Sequence, residues 1–235
     1  MKFKFDKFIQ GKTIDLCVAT EEIAYESDWY KWFNDKDINK YLIQGKFPNT
    51  RIQQRDYFIS ELSKKNRLLL LIVTKESLLK GVISLSKIDF ENNSADLALV
   101  VNDKISRKKC LLGALEAVAL ISQHGFDIMR LDRIYARQSR SLSSWQKRME
   151  LLGYRVEGIH KNDFYETREN FNNSVSIACT YDDYRKIIKE RGILFDSESA
   201  MLKRIKSMPN TSVATELEDF LNEKHNEYYK NIWSL

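Results

Sequence analysis

Three consecutive cations, Arg107-Lys108-Lys109, follow an apolar run, Asp96-Leu97-Ala98-Leu99-Val100-Val101. They precede a segment that carries Leu111, Leu112, Leu115, Val118 and Ala119 on one helical stripe. A buried strand, a basic turn and an amphipathic helix in that order can seat an anion. A helix N-terminus exposes unpaired backbone N–H groups and the positive end of its dipole. Basic side chains in the same turn add charge-assisted hydrogen bonds. The same residues are equally compatible with an ordinary strand-to-helix connection and a solvated basic loop. Other reactive side chains form no such group. His124, His160 and His225 lack metal-ligand spacing, and none stands beside an evident nucleophile. Cys110 falls near the start of the helix, where a thiol pKa can drop, but a small apolar stripe also suits it as a core residue.

The elements that must position this turn are legible from periodicity. Residues 13–18 alternate as a half-buried strand. Asp28 to Leu42 reads as one helix anchored by Trp29, Trp32, Phe33 and Tyr41, followed by a loop around Gly45 and Pro48. Thr50 is placed to cap a second helix with Tyr57, Phe58 and Leu62 as its apolar face. Leu68–Val73 and Gly81–Ile88 are core strands, and Asn92-Asn93 turns the chain into the strand at Asp96. A helix over 109–124 precedes a short strand at 133–136 and a helix to Leu152 closed by Gly153. Tyr154–Gly158 and Val175–Tyr181 are the last two strands.

Beyond Tyr181 the segments 182–192, 197–207 and 215–232 are charged and helix-prone, with Met208-Pro209-Asn210 between the last two. A piece of about 50 residues with so few large apolar groups makes a poor core of its own. The organisation expected is therefore a domain over 1–187 with a helical C-terminal extension over 188–235, in an α+β arrangement.

Composition narrows the class of partner. The hydrophobic share is 43% with 11% aromatic, enough for a real core, and 30% charge favours solubility. Thirty-eight basic against 33 acidic side chains leave +5, too balanced to demand nucleic acid yet suited to a local anionic ligand. Cys17, Cys110 and Cys179 are far apart and without CxxC spacing, so neither a zinc site nor a disulfide framework is indicated, and a reducing, cytoplasmic setting is expected. The first residues hold no long apolar stretch, and the longest apolar run, Leu68–Val73, is far too short to span a bilayer.

Several pieces in their order resemble the GCN5-related N-acetyltransferases, the GNAT superfamily, in the branch of the ribosomal-protein-alanine and amino-sugar enzymes. They are Trp32 to Leu42, Gly81 to Leu85, Ile88 to Asp96, Leu151-Leu152-Gly153-Tyr154 with Glu157-Gly158, and Val175 to Tyr184. The resemblance covers roughly residues 10–187. It implies a GNAT fold: a mixed, mostly antiparallel sheet splayed between strands 4 and 5 and flanked by helices.

The resemblance also implies a chemistry. Acetyl-CoA would lie in the splay, its pantetheine arm along Leu99, Val100 and Val101, and its diphosphate on the turn and helix start, Arg107, Lys108, Lys109, Cys110, Leu111, Leu112 and Gly113. The family's pattern there, Gln/Arg-x-x-Gly-x-Gly/Ala, falls on Ser106 to Leu111. Ser106 stands at the leading position, and Lys109 and Leu111 stand where glycine or alanine is usual. A side chain there obstructs close approach of the backbone to phosphate; the three cations are a compensating source of contacts.

Relatives place an acid at the start of the splayed strand, which makes Asp96 the implied base for the acceptor amine. They also carry a tyrosine that hydrogen-bonds the leaving thiolate. Met149 stands at that position and cannot donate a proton, so either backbone N–H groups help the thiolate to leave or a hydroxyl such as that of Ser141, Ser143 or Ser144 substitutes. The implied reaction is acetyl transfer to a primary amine, with a nucleotide-linked amino sugar slightly preferred. That acceptor would need a second anionic pocket, drawn from Lys40, Lys46, Arg51 and Arg55. A protein N-terminus is the rival acceptor, and a catalytically degenerate GNAT-like binding module the rival class. No metal is implied, and a homodimer is an admissible assembly.

Overall fold

Eight strands pair into one sheet. They are β1 (Lys7–Gln10), β2 (Ile14–Val18), β3 (Leu68–Thr74), β4 (Leu79–Asp89), β5 (Ser94–Val101), β6 (Arg133–Ser139), β7 (Arg155–Thr167) and β8 (Asn170–Thr180). The computed structural model describes residues 3–40, 42, 47–102, 104, 110–167 and 170–235, with backbone alone at 165–167, 170 and 171. The spatial order is β1-β2-β3-β4-β5-β6-β8-β7. Every described pairing is antiparallel except that of β5 with β6.

That parallel pair is in register only at Ser94↔Arg133, Ala95↔Ile134 and Asp96↔Tyr135. On its other edge β5 stays paired with β4 as far as Gly81↔Val101. Likewise β6 stays paired with β8 as far as Ser139↔Ser174. Each strand is thus held to its end by its outer neighbour while the two part from one another after Asp96. The expected splay of strands 4 and 5 is this parting of β5 and β6, because β1, whose short polar sequence gives no clear alternation, adds one strand at the N-terminus.

The two faces of the sheet carry separate cores, as alternation along β3 requires. Leu70 and Ile72 join one cluster, with Ile14, Leu16, Ile83, Leu85 and Ile134, beneath Leu115, Val118, Ile121 and Phe126 of the Gly113–Asp127 helix. Leu71 and Val73 join the other, with Cys17 and Val82 beneath Ile23, Trp29, Trp32 and Phe58. In chain order the helices of that second face are α1 (Glu21–Glu26), α2 (Trp29–Trp32), α3 (Lys36–Asn39) and α4 (Arg51–Ser63), so the Gly113–Asp127 helix is α5. The Trp29 and Phe58 rings meet edge-on, 6.1 Å apart.

Local chemistry explains where elements differ from the expectations. The single helix over 28–42 is two short ones, because Asp35 leaves the helical region and its side chain caps α3 at the Asp37 N–H. Thr50 does cap α4, in a reciprocal box with Gln53. Of the expected apolar face of α4 only Phe58 is buried; Tyr57 and Leu62 are exposed. The helix expected from 109 begins at Gly113, so Leu111 lies before it and is exposed. Tyr41 and Gly45 lie outside the described residues. The β7–β8 hairpin runs well past the strands legible in sequence: Asn172 and Asn173 interrupt apolar alternation, and the pairing resumes at Phe164↔Asn172 after a register shift between His160 and Phe164.

The remaining helices are α6 (Ser143–Glu150), preceded by a 3-10 turn at Arg140–Leu142, then α7 (Tyr181–Arg191), α8 (Glu198–Lys206), α9 (Val213–Phe220) and α10 (Asn226–Trp233). Leu194, Phe195, Met201 and Ala214 are buried in the same cluster as α5, so the segment beyond 187 docks on the sheet domain at least through α9. Every residue of α10 is exposed. Among the described residues no helix is long and apolar enough to cross a membrane.

Candidate active site

The parting of β5 from β6 makes a V whose narrow end is at Asp96 and whose wide end lies between Val101 and Ser139. Beyond Asp96 the edge of β5 that faces β6 has no strand partner among the described residues. Peptide groups on such an edge are available to an extended ligand that itself carries amides. Leu99 and Val101 pack toward the α5 core, and Val100 toward the opposite one. An arm lying along these residues would therefore run between the two faces of the sheet.

The chain from β5 leads to the start of α5. Arg107, Lys108 and Lys109 lie outside the described residues, as do Ser106 and Lys46. Cys110 and Leu112 are buried, and Cys110 takes its place as a small core residue. Leu111 is 58% exposed. Gly113 meets β2 closely; a Cβ there would lie 3.0 Å from the Ile14 methyl and 3.4 Å from the Cys110 Cβ. This packing fixes where the helix begins.

Glu116, in the first turn of α5, is a residue that the sequence motifs did not single out. Its carboxylate is 1% exposed. It accepts hydrogen bonds from the Lys12 N–H, from the Thr13 N–H at 3.0 Å and from the Thr13 hydroxyl. The signal was present as one acid inside the apolar stretch Gly113-Ala114-Leu115-Glu116-Ala117-Val118. A second unforeseen acid is Glu198, at the start of α8, whose Oε1 accepts from the Leu112 N–H at 2.8 Å. Nothing local to Glu198 marks it; only the docking of α8 brings it there.

Asp96 lies at the narrow end of the V, on the face of α4 rather than α5, opposite Tyr135. Its Oδ2 accepts from the Lys87 ammonium at 2.9 Å, and this pairing raises the Lys87 pKa above its ordinary value. Lys87 is itself largely exposed. The hydroxyls stand elsewhere. Ser141 is exposed in the turn after β6, where it accepts from the Asn172 side chain, and Ser144 is exposed in the first turn of α6. From Tyr135 to Ser139 the strand runs about 13 Å. Asp96 and the two serines are therefore at opposite ends of the opening.

Met149 is buried in the α5 core, and Tyr154 is buried against Ser122, with its hydroxyl 2.7 Å from Ser122 Oγ and its pKa pushed up by burial. His124 is partly buried beside the Phe8 ring, which lowers its pKa; His160 is exposed. The expected second cationic pocket is not assembled by its two arginines. Arg51 reaches the Glu26 carboxylate at 3.5 Å, and Arg55 the Asp56 carboxylate at 2.9 Å. Among the described residues no group of three acids, histidines or cysteines could hold a metal ion.

Residues 22–155, which span α1 to α6 and the parted strands, match the family model of the acetyltransferase (GNAT) domain. The chain belongs to the GNAT acetyltransferase family. No curated protein matches it. Among solved structures it is similar to an acetyltransferase (GNAT family) from Bacillus anthracis, at 23% identity and TM-score 0.59 over 74% of this chain and 99% of that one. It is similar to a GCN5-related N-acetyltransferase from Brucella melitensis, at 16% identity and TM-score 0.65 over 88% and 97%. A third is spermidine N-acetyltransferase from Vibrio cholerae in complex with CoA and spermine, at 14% identity and TM-score 0.64 over 74% and 98%. At these identities the likeness is one of fold, and it includes the GNAT sheet and its flanking helices.

Proposed function

We propose that this GNAT chain moves an acetyl group from acetyl-CoA to a primary amine. The observation that carries it is the V between β5 and β6, with a strand edge unpartnered among the described residues on one side, a helix start at its wide end and a carboxylate at its narrow end. In this proposal Leu99, Val100 and Val101 hold the pantetheine arm through their backbone. Arg107, Lys108, Lys109 and the α5 start from Cys110 to Gly113 face the diphosphate.

Asp96 then accepts the proton of the attacking amine, directly or through a water. The amine nitrogen forms a bond to the acetyl carbon, the carbon–sulfur bond breaks, and the sulfur leaves as thiolate and is reprotonated. A primary ammonium, that of Lys87, already rests on Asp96, which supports this carboxylate as a place where an amine substrate can dock. Lys87 is exposed enough to swing away. Ser141 and Ser144 supply hydroxyls to the donor at the wide end.

For the acceptor, the nucleotide-linked amino sugar rests on the resemblance to the amino-sugar branch; the ion pairs of Arg51 and Arg55 give it no added support. The spermine in the Vibrio cholerae complex makes small polyamines the first alternatives to assay. The burial of Met149, with no proton donor at that position, favours a second reading, a GNAT domain kept for binding. A cytoplasmic setting belongs to the proposal because Cys17, Cys110 and Cys179 are free and buried. A homodimer is the assembly attached to it, supported by the exposed Tyr228, Ile232 and Trp233 of α10.

Thermal-shift titration with acetyl-CoA and a panel of amines tests the proposal. The expected results are a rise in Tm with ligand and CoA release with at least one primary amine. Absence of any shift at millimolar acetyl-CoA would overturn it. Asp96→Asn should lower turnover by about a hundredfold or more, the scale of a lost general base. Unchanged turnover across pH would remove Asp96 from that role.

A further inference from the structure

The segment beyond α7 touches both lips of the V. On the β6 side, Arg140 donates from Nε to Glu218 Oε2 at 3.0 Å and from Nη2 to Thr215 Oγ1 at 2.9 Å. Asn173 of β8 donates to Glu218 Oε1 at 2.6 Å. On the β5 side, the Leu112 N–H donates to Glu198 Oε1 at 2.8 Å. Leu112 is the residue that opens α5, and its own side chain offers no cap.

Glu198 is delivered there by a docked helix. It is the first residue of α8, whose cap is Ser197, so one carboxylate lies at the N-termini of α8 and α5 together. Both helices direct positive dipole ends toward it. The α8 helix is held by the buried Met201, by Leu194 and Phe195 before it, and by the Arg204–Asp196 ion pair at 2.7 Å. The Lys12 ammonium adds a bond to the Asp196 carbonyl. Releasing Glu198 from Leu112 therefore means rotating its side chain or lifting α8, and the second would break these contacts.

We propose that Glu198 sets donor specificity: its carboxylate competes with the diphosphate end of the acyl donor for the start of α5. This rests on the acetyl-CoA assignment above and deepens it. The chain then gains less from the nucleotide half of acetyl-CoA than an α5 start free of Glu198 would give, and leans more on the pantetheine arm along β5. An incoming phosphate meets both an occupied N–H and a like charge, whereas pantetheine, which ends before the diphosphate, meets neither.

Isothermal titration of the full chain with CoA and with pantetheine tests this, on the unchanged protein, Glu198→Ala, Glu198→Gln and the control Glu218→Gln. Glu198→Ala frees the N–H and removes the charge; Glu198→Gln removes the charge while keeping the shape. CoA affinity should rise about tenfold or more in Glu198→Ala, the worth of one charge-assisted hydrogen bond, and by less in Glu198→Gln. Pantetheine affinity should stay within about twofold in both, and Glu218→Gln should leave both ligands unchanged.

Should Glu198→Ala not fold, a rise in CoA affinity in Glu198→Gln alone sustains the proposal. Unchanged or weaker CoA binding in Glu198→Gln overturns it and shows Glu198 to be a cap of α5 only, with acetyl-CoA use intact. A parallel gain for pantetheine also overturns it, since that would report a general loosening of the V. If neither ligand binds any of the proteins, the acetyl-CoA assignment falls and the competition falls with it.

Discussion

Glu116→Ala strips a buried carboxylate from the first turn of α5. Two backbone N–H groups and one hydroxyl of the β1–β2 connection converge on that group, which is 1% exposed. The enclosure is tight: a Cβ on Gly11 would come within 2.7 Å of Glu116 Oε1. A hydrogen bond to a charged partner contributes about 1.5–3 kcal/mol, and a buried donor left unsatisfied costs about 1–3 kcal/mol. Alanine takes the carboxylate acceptor away from the Lys12 and Thr13 N–H groups, while the Thr13 hydroxyl can rotate to another acceptor. The expected loss is about 3–5 kcal/mol.

Glutamine keeps the volume and one acceptor oxygen. It can still serve the Lys12 N–H, and its amide can donate to a rotated Thr13 hydroxyl, but the Thr13 N–H loses its best partner. The expected loss is about 1.5–3 kcal/mol. Urea titration of the full chain should rank the unchanged protein above Glu116→Gln and that above Glu116→Ala, with a common m-value. A cycle with Thr13→Val should return a coupling of about 1 kcal/mol or more. Glu116→Ala within about 1 kcal/mol of the unchanged protein would refute the account, because three hydrogen bonds to a buried carboxylate would then contribute almost nothing.

Two further substitutions test other parts of the frame. In Gly81→Ala the new Cβ would lie 2.5 Å from the Val100 carbonyl oxygen, a backbone atom with no room to give, so β4 and β5 must spread. A loss of about 1–3 kcal/mol is expected, together with weaker acetyl-CoA binding; an unchanged Tm would contradict it. Asp196→Asn removes a carboxyl that the Arg204 hydrogen bond holds well below its ordinary value of 3.8. A depressed pKa stabilises the fold above the unfolded-state value, and that contribution is lost as pH falls through the folded-state value. The variant should therefore melt lower near neutral pH, by about 1 kcal/mol or less for a partly exposed pair, and match the unchanged protein in strong acid. A gap that widened on acidification would reverse the sign and refute the assignment.

The elements that sequence made legible were those whose cause is local. Leu68–Val73 and Gly81–Ile88 are strands because apolar, β-branched side chains there serve one or two buried faces, and the structure has both as β3 and β4. Thr50 with Gln53 is a capping box that needs no tertiary partner. Elements set by distant contacts were misjudged. The start of α5 is fixed by Gly113 against Ile14 and by Glu116 around Thr13, so the apolar stripe alone placed it four residues early. Apolar residues beyond 187 are sparse, and which of them are buried is set by distant partners: Phe195, Met201 and Ala214 pack into the core cluster beneath α5. Glu198 had no local signature, since its role arises only where two helix starts meet.

The shape of the V also bears on how the proposed chemistry divides among its residues. A base that relieves the amine and a group that meets the leaving sulfur must both reach atoms bonded to one acetyl carbon, whereas about 13 Å of β6 separates the level of Asp96 from Ser139. Only one end of the opening can hold that carbon. An arm that enters at the wide end, beside the start of α5, and follows the free edge of β5 comes to rest where β6 closes on β5, which is at Asp96. The proposed reaction therefore assigns the acetyl group to the narrow end with Asp96, on the α4 face, beside the Lys87 ammonium. Ser141 and Ser144 then neighbour the nucleotide half of the donor, and their hydroxyls suit phosphate or ribose oxygens better than a thiolate. Replacing both serines by alanine should accordingly raise the KM for acetyl-CoA and spare kcat, while Asp96→Asn lowers kcat. The opposite split would return the serines to the leaving group.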